Sequence, residues 1–285
     1  MLKILIWVVS KDTQFLKDAI NILERQDNGI EIVGKAAGEN ISSADKNFDV
    51  LLVIGAKKIG MNKISQVARQ LNLPEEKLLG DWIVCIPGFT LEKYRHVQCS
   101  RLSVFTMNCF GGVLLHTLGL PFNSPFVNMF FDEQDYLRFL HEPQAYLEKD
   151  LIFKETKWQN ELKFYYPVVE LGDIAIHMNH YRSFDEAVDK WNRRKARINW
   201  YNLFVTMYTE REEILQEFDA LPYGKKICFV PFKSDLPSAW QINSTVIKNA
   251  PPFWDVVNRF GFGNPFWYDP FDMLLYGKKT PLIEI

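Results

Sequence analysis

The sequence is poor in the features that announce a function. Its four cysteines, at positions 85, 99, 109 and 228, form no C-x-x-C pair. That leaves no readable zinc ribbon or redox dithiol, and a chain of 285 residues does not depend on disulfide staples, so reduced thiols are expected. A charge surplus is missing too: 33 basic against 35 acidic side chains give a formal net charge of -2. Without a global field, a charged partner has to be met by a local patch, and nucleic acid is not an expected partner. Long apolar runs are absent. The one from Ile4 to Val9 breaks at Ser10, has no small-residue cleavage site after it, and falls far short of the ~18 residues a membrane span needs. No transmembrane segment and a cytoplasmic location are expected. The first strand is followed by Ser10-Lys11-Asp12-Thr13, not by the glycines that let a backbone approach a pyrophosphate. No D-x-D-like acidic pair stands out for metal-dependent glycosyl transfer, since Asp132-Glu133 and Asp269-Pro270 are poor substitutes. No set of ligands at metal spacing is visible, and the sequence names no cofactor.

What is present is a globular pattern, 47% hydrophobic, with an aromatic content of 14%. Apolar runs at 2–9, 30–33, 50–54 and 82–86 read as strands, and helical spacing over 15–23 and 64–71 separates them. The loop Gly55–Gly60 has glycines and lysines near a helix start but matches no defined motif, so a plain turn is favoured over a phosphate cradle. A second alternating series begins near Arg101, with strands at 102–107, 126–131, 164–171, 174–181, 203–207 and 227–230 and helices at 113–118, 184–198 and 211–218. The fold class is α/β: two Rossmann-like units with mostly parallel sheets flanked by helices, and an aromatic, proline-rich tail. The expected divisions are an N-terminal Rossmann-like domain at 1–97, a C-terminal α/β domain at 98–235, and extended segments at 236–285 that include Pro237, Pro251, Pro252, Pro265 and Pro270.

Three stretches can carry chemistry. In "NCFGG", Asn108, Gly111 and Gly112 sit where a strand runs into a helix, and free amides at a helix N-terminus favour an anion. Cys109 in that field would have a depressed thiol pKa, as a nucleophile requires; the competing reading is a small buried side chain in a turn that needs glycine for packing. "GDIAIHMNHYRS" is the densest polar cluster. Strand alternation sets His177, Asn179 and Tyr181 on one side and His180 on the other, and Arg182 closes the cluster. The next helix opens with the capping box Ser183/Glu186 and buries a stripe of Phe184, Ala187, Val188, Trp191 and Ile198. Arg194 falls on that stripe and has to reach solvent or find an anion. Arg193, Lys195 and Arg197 extend the positive end of the helix.

"NCFGGVLLHTLGLPFNSPFVNMFF", "DYLRFL" and "GDIAIHMNHYRSFDEAVDKWNRRKARINWYNLFV" together resemble a bacterial family of exopolysaccharide (capsular polysaccharide) biosynthesis proteins, a domain of unknown function, over about residues 100–235. The resemblance implies a cytoplasmic role in making surface glycans, on a phosphorylated sugar or nucleotide-sugar, and brings no catalytic residues with it. Three readings stay open. The first is a glycosyl- or phospho-transferase that binds phosphate through Gly111, Gly112 and Arg194, uses His177 as base, and takes Asn108, Asn179, His180, Tyr181 and Arg182 as further ligand contacts. The second is a non-catalytic binding or interaction protein of a polysaccharide assembly, with a homodimer as one form. The third is a Cys109-dependent hydrolase or acyltransferase, with His177 or His180 as base.

Overall fold

Near-continuous apolar runs separated by helical spacing demand strands buried on both faces, and the chain builds them twice. In the computed structural model, which describes residues 1–27, 29–38, 41, 47–242 and 268–282, the first unit contains β1 (Leu2–Val8), α1 (Leu16–Gln26), β2 (Ile30–Ala37), β3 (Val50–Ile54), α2 (Ala56–Ile59), α3 (Met61–Gln70), β4 (Leu78–Gly80), α4 (Asp81–Val84) and α5 (Leu91–Cys99). Its four strands are all parallel in the order β2-β1-β3-β4, and every residue of β3 is buried. Strand order reverses between β1 and β3, where open α/β sheets usually hold ligands. Here that crevice is filled by protein. Gly55, at φ +74°, lies so close to the first loop that a Cβ would stand 2.4 Å from Ser10 Cβ. The buried Asp81 carboxylate accepts from Gly55 N–H and Trp82 N–H, each at 3.1 Å. Gly55–Gly60 is accordingly the short helix α2 between two flanking glycines, held from behind at Gly55.

The second unit contains β5 (Ser103–Thr106), α6 (Phe110–Thr117), α7 (Glu133–His141), α8 (Pro143–Glu148), β6 (Ile152–Gln159), β7 (Phe164–Leu171), β8 (Ile174–His177), α9 (Phe184–Lys195), β9 (Leu203–Tyr208), α10 (Glu212–Ala220), β10 (Lys226–Val230) and β11 (Ala239–Gln241). A parallel sheet runs β11-β10-β9-β5, and β6-β7-β8 form a separate antiparallel meander. Alternation splits the parallel sheet cleanly. Val104, Phe204, Ile227 and Phe229 face α6 and the N-terminal unit in one hydrophobic cluster. Phe105, Val205, Met207 and Cys228 face α7, α10 and the meander in another. The first cluster extends from Leu2 to Leu274, across the expected boundary at 97/98. Among the described residues no helix is long and apolar enough to cross a membrane.

Four expectations change. Residues 82–86 are not a strand: β4 ends at Gly80, and Trp82, Ile83 and Val84 form a short buried helix, where burial all round hides the period. Phe126, Val127, Met129 and Phe131 are buried without forming a strand; only the half-buried Phe130 makes a bridge, to His177, and the exposed Asn128 at φ +64° interrupts the extended path. The strand expected at 174–181 ends at His177. The tail is not wholly extended: β11 is an extended segment that joins the parallel sheet, but Pro270–Tyr276 is a helix; Pro251, Pro252 and Pro265 lie outside the described residues.

That last helix is tied down by charge. Asp269 Oδ1 accepts from Phe271 N–H (2.9 Å) and Asp272 N–H (3.0 Å), and Lys93 of α5 bridges Asp269 Oδ2 (2.7 Å) and Asp272 Oδ1 (2.8 Å). Burial works to lower the Lys93 pKa, but the two carboxylates leave it raised. Asp269→Ala removes the cap and half of the ion pair, and is expected to cost about 3 kcal/mol in urea unfolding. Asp269→Asn keeps an acceptor for the two amides, and is expected to cost less than the alanine variant.

Candidate functional site

The strand-to-helix turn after β5 is closed by its own side chains. Asn108 Oδ1 accepts from Phe110 N–H at 3.0 Å and from Thr106 Oγ1–H at 3.3 Å. A Cβ on Gly111 would stand 2.8 Å from both Thr106 Cγ2 and Val104 Cγ1, and one on Gly112 would stand 3.1 Å from Val127 Cγ1. Both glycines therefore serve close approach of α6 to β5 and to the segment around Val127. Cys109 Sγ–H points at the Met129 carbonyl, 3.8 Å away. Burial pushes this thiol up to about 11, outweighing the Met129 contact, so the depressed thiol of a nucleophile is not what this turn provides.

The "HMNHY" cluster is spread rather than convergent. His177, buried at the end of β8, stacks on Phe130 with ring centroids 4.3 Å apart and shares a 3.3 Å hydrogen bond with Tyr166 Oη through Nδ1. Burial, then the Lys157 charge, hold its pKa below the usual imidazole range, against an opposing pull from Asp132, Glu155 and Asp135. His180 is exposed in the turn beyond. Asn179 is half-buried with Oδ1 unpartnered, and Arg182 is exposed, 5.9 Å from the Phe164 ring. Tyr181 Oη donates to the Val127 carbonyl (2.7 Å) and accepts from Arg194 Nη1–H (2.7 Å). Arg194 resolves its place on the buried stripe in this way, with its guanidinium also 5.4 Å over the Phe122 ring. The helix start is as the capping box requires at one end, Glu186 N–H donating to Ser183 Oγ at 3.2 Å. The glutamate carboxylate reaches Arg182 N–H instead of Ser183. The expected residues thus gather around one segment, 122–131, and the segment stands between them. Cys109 touches it at Met129, Gly112 and Tyr181 at Val127, His177 at Phe130, and Arg194 at Phe122. No hydrogen bond joins Cys109 to His177 among the described residues.

The open space lies elsewhere. A cavity of about 680 Å³ opens between α3, the short turn Glu75–Lys77, the end of α5, the 119–123 loop and Arg197 just beyond α9. Its polar walls include Asn62, Arg69, Gln98, Asn123 and Arg197, with Phe122 as the aromatic face. Glu75 and Glu76 line the rim, and Arg69 Nε lies 3.3 Å from Glu75 Oε2. Asn123 Nδ2–H donates to the Leu102 carbonyl at 3.3 Å, which places this cavity at the start of β5, at the opposite end from Asn108. Among the described residues Arg197 has no carboxylate within ion-pair distance, although it is charged and exposed. Of the residues expected to bind a ligand, Arg194 alone comes near this space, through Phe122. Arg197 was visible in the sequence as part of the basic run after Trp191; Asn62, Arg69, Gln98 and Asn123 sit on separate elements and leave no pattern. No three His, Cys, Asp or Glu side chains stand together as metal ligands among the described residues.

The thiol can be tested directly. In a Cys99→Ser background, with the exposed thiol removed, iodoacetamide should label Cys109 of the folded chain far more slowly than free cysteine at pH 7, since a pKa near 11 leaves a thiolate fraction of roughly 1 in 10,000. Peptide mass mapping checks it, and labelling at the rate of free cysteine would restore the nucleophile.

Residues 84–276 match the family described as Domain of unknown function (DUF1919). A protein of Haemophilus influenzae described as an uncharacterized protein is 37% identical over 184 residues, which span 62% of this chain and 84% of that relative. The matched region takes in the parallel sheet of the second unit, the meander and the cavity residues Gln98, Phe122, Asn123 and Arg197, and it leaves out Asn62 and Arg69. With more than half of its length inside that match, the chain belongs to the DUF1919 family.

Proposed function

We propose that the protein binds a small phosphorylated, hydroxyl-rich ligand, a sugar phosphate or nucleotide-sugar, in the cavity between α3 and the 119–123 loop, and that it does so in the cytoplasm in the service of surface-polysaccharide synthesis. The observation that carries the reading is the guanidinium of Arg197, charged, without an acidic partner among the described residues, and on the wall of a cavity large enough for such a ligand. An arginine fork suits phosphate geometry, and Arg69 supplies a second positive group shared with Glu75. The amides of Asn62, Gln98 and Asn123 offer donors and acceptors to hydroxyls, and the Phe122 ring offers an apolar face to a sugar. Transfer of a glycosyl or phospho group is the second reading. Glu76, a carboxylate on the rim with no ion partner among the described residues, is the group positioned to take a proton in it.

Thermal shift and calorimetry with glucose 1-phosphate, UDP-glucose and inorganic phosphate test the proposal. A ligand present at a hundredfold above its Kd is expected to raise stability by ~2.7 kcal/mol. Arg197→Ala should weaken binding about tenfold or more, while His177→Ala, far from the cavity, should leave it unchanged. No shift with any of the three probes, or equal binding by the Arg197 variant, would sink the proposal.

A further inference from the structure

Strand β6 stands apart from the rest of the fold. None of its eight residues is buried, and among the described residues its only ladder is with β7, so one row of its backbone N–H and C=O groups faces solvent. Near the tip of the hairpin Trp158 packs edge-on against Tyr165, centroids 4.9 Å apart, and the two remain 45% and 63% exposed. Ile152, Phe153 and Leu162 add exposed apolar surface. Edge strands of this kind are normally blunted by bulges and lysines. β6 has a register shift between Phe153 and Glu155, and it has Lys154 and Lys157, yet its charges alternate in sign along the strand.

We infer that β6 pairs antiparallel with β6 of a second copy of this chain, with Thr156 on the two-fold axis. A two-fold pairing sets residue i against residue j at a constant sum of positions, so few registers exist. With Thr156 on the axis, Glu155 of each copy stands opposite Lys157 of the other, on one face of the joined sheet. Glu155 and Lys157 already lie 3.5 Å apart within the chain, so four charges of alternating sign surround the axis. Other registers fail on charge. An axis on Glu155 or on Lys157 opposes each to itself, and an axis between Glu155 and Thr156 opposes Lys154 to Lys157. An axis between Thr156 and Lys157 pairs no charges. The one other complementary setting, Lys154 against Glu155, falls on the bulge, where the ladder is disrupted. A contact built on one strand edge is smaller than the ~1,600 Å² of a standard interface, so the dimer is a weak, concentration-dependent one.

Sedimentation velocity on the full chain over a wide concentration range tests this. Wild type should pass from monomer to dimer. Glu155→Lys and Lys157→Glu should each raise the dissociation constant about tenfold or more, with unchanged thermal melting because both positions are exposed. An equimolar mixture of the two variants should dimerise again, since each then meets opposite charges in the other, and the double variant should behave as wild type. A wild-type chain that stays monomeric, including one whose edge serves a different protein, would overturn the inference. So would a dimer indifferent to both reversals, or variants that do not rescue one another.

Discussion

The parallel sheet of the second unit has to be covered on both faces, and the rest of the molecule follows from that requirement. Its strands place large apolar side chains alternately up and down, Phe204 against Val205 and Ile227 against Cys228, so neither face tolerates water. One face is closed by α6 and by the N-terminal unit. The other is closed by α7, α10 and the meander, all but α10 supplied by the connection from β5 to β9. That connection is long because it must carry a cover for the sheet it belongs to. It also contains every residue that the sequence puts forward as a site.

Burial decides the chemistry of those residues. At the N-terminus of α6 the helix field favours a thiolate, but Cys109 is enclosed by the Met129 carbonyl and its surroundings, and desolvation prevails. Burial likewise holds the His177 pKa below the usual imidazole range, with the ring stacked on Phe130 and hydrogen-bonded to Tyr166. Lys93 shows the opposite balance. Two carboxylates within 2.8 Å more than offset its burial, and the pair they form with it anchors the C-terminal helix to α5.

The cavity arises where coverage is incomplete. Gly119 lets the turn after α6 approach α3 so closely that a Cβ would stand 2.6 Å from Met61 Cγ, and the space beside that contact is left to Arg197, Asn123 and Gln98. A ligand in this space would bridge the two sheet units at the amino end of β5. That location departs from the usual preference for strand carboxyl ends, and the reason is visible at those ends: Ser10 and Gly55 close one, and Asn108 with the 122–131 segment closes the other.

By itself the sequence determined the strand-and-helix alternation, because runs such as Val50–Ile54 and the S-x-x-E start of α9 are local signals. It also showed that Arg194, on an apolar stripe, needed a partner. It could not show β6, whose residues face solvent on both sides and carry no period to read, nor the helix at Asp81–Val84, whose apolar residues are buried in every direction. Phe126 to Phe131 was legible as core and not as irregular backbone, since hydrophobicity reports burial and not pairing. Tertiary structure alone decided that Arg194 meets a hydroxyl and a ring, and that "NCFGG" is a packed turn. It alone decided that the guanidinium of Arg197, without a carboxylate partner among the described residues, shares a wall with Asn62 and Gln98. Those groups come from elements far apart in the chain, and only the docking of the two sheets through one core brings them onto the wall of one cavity.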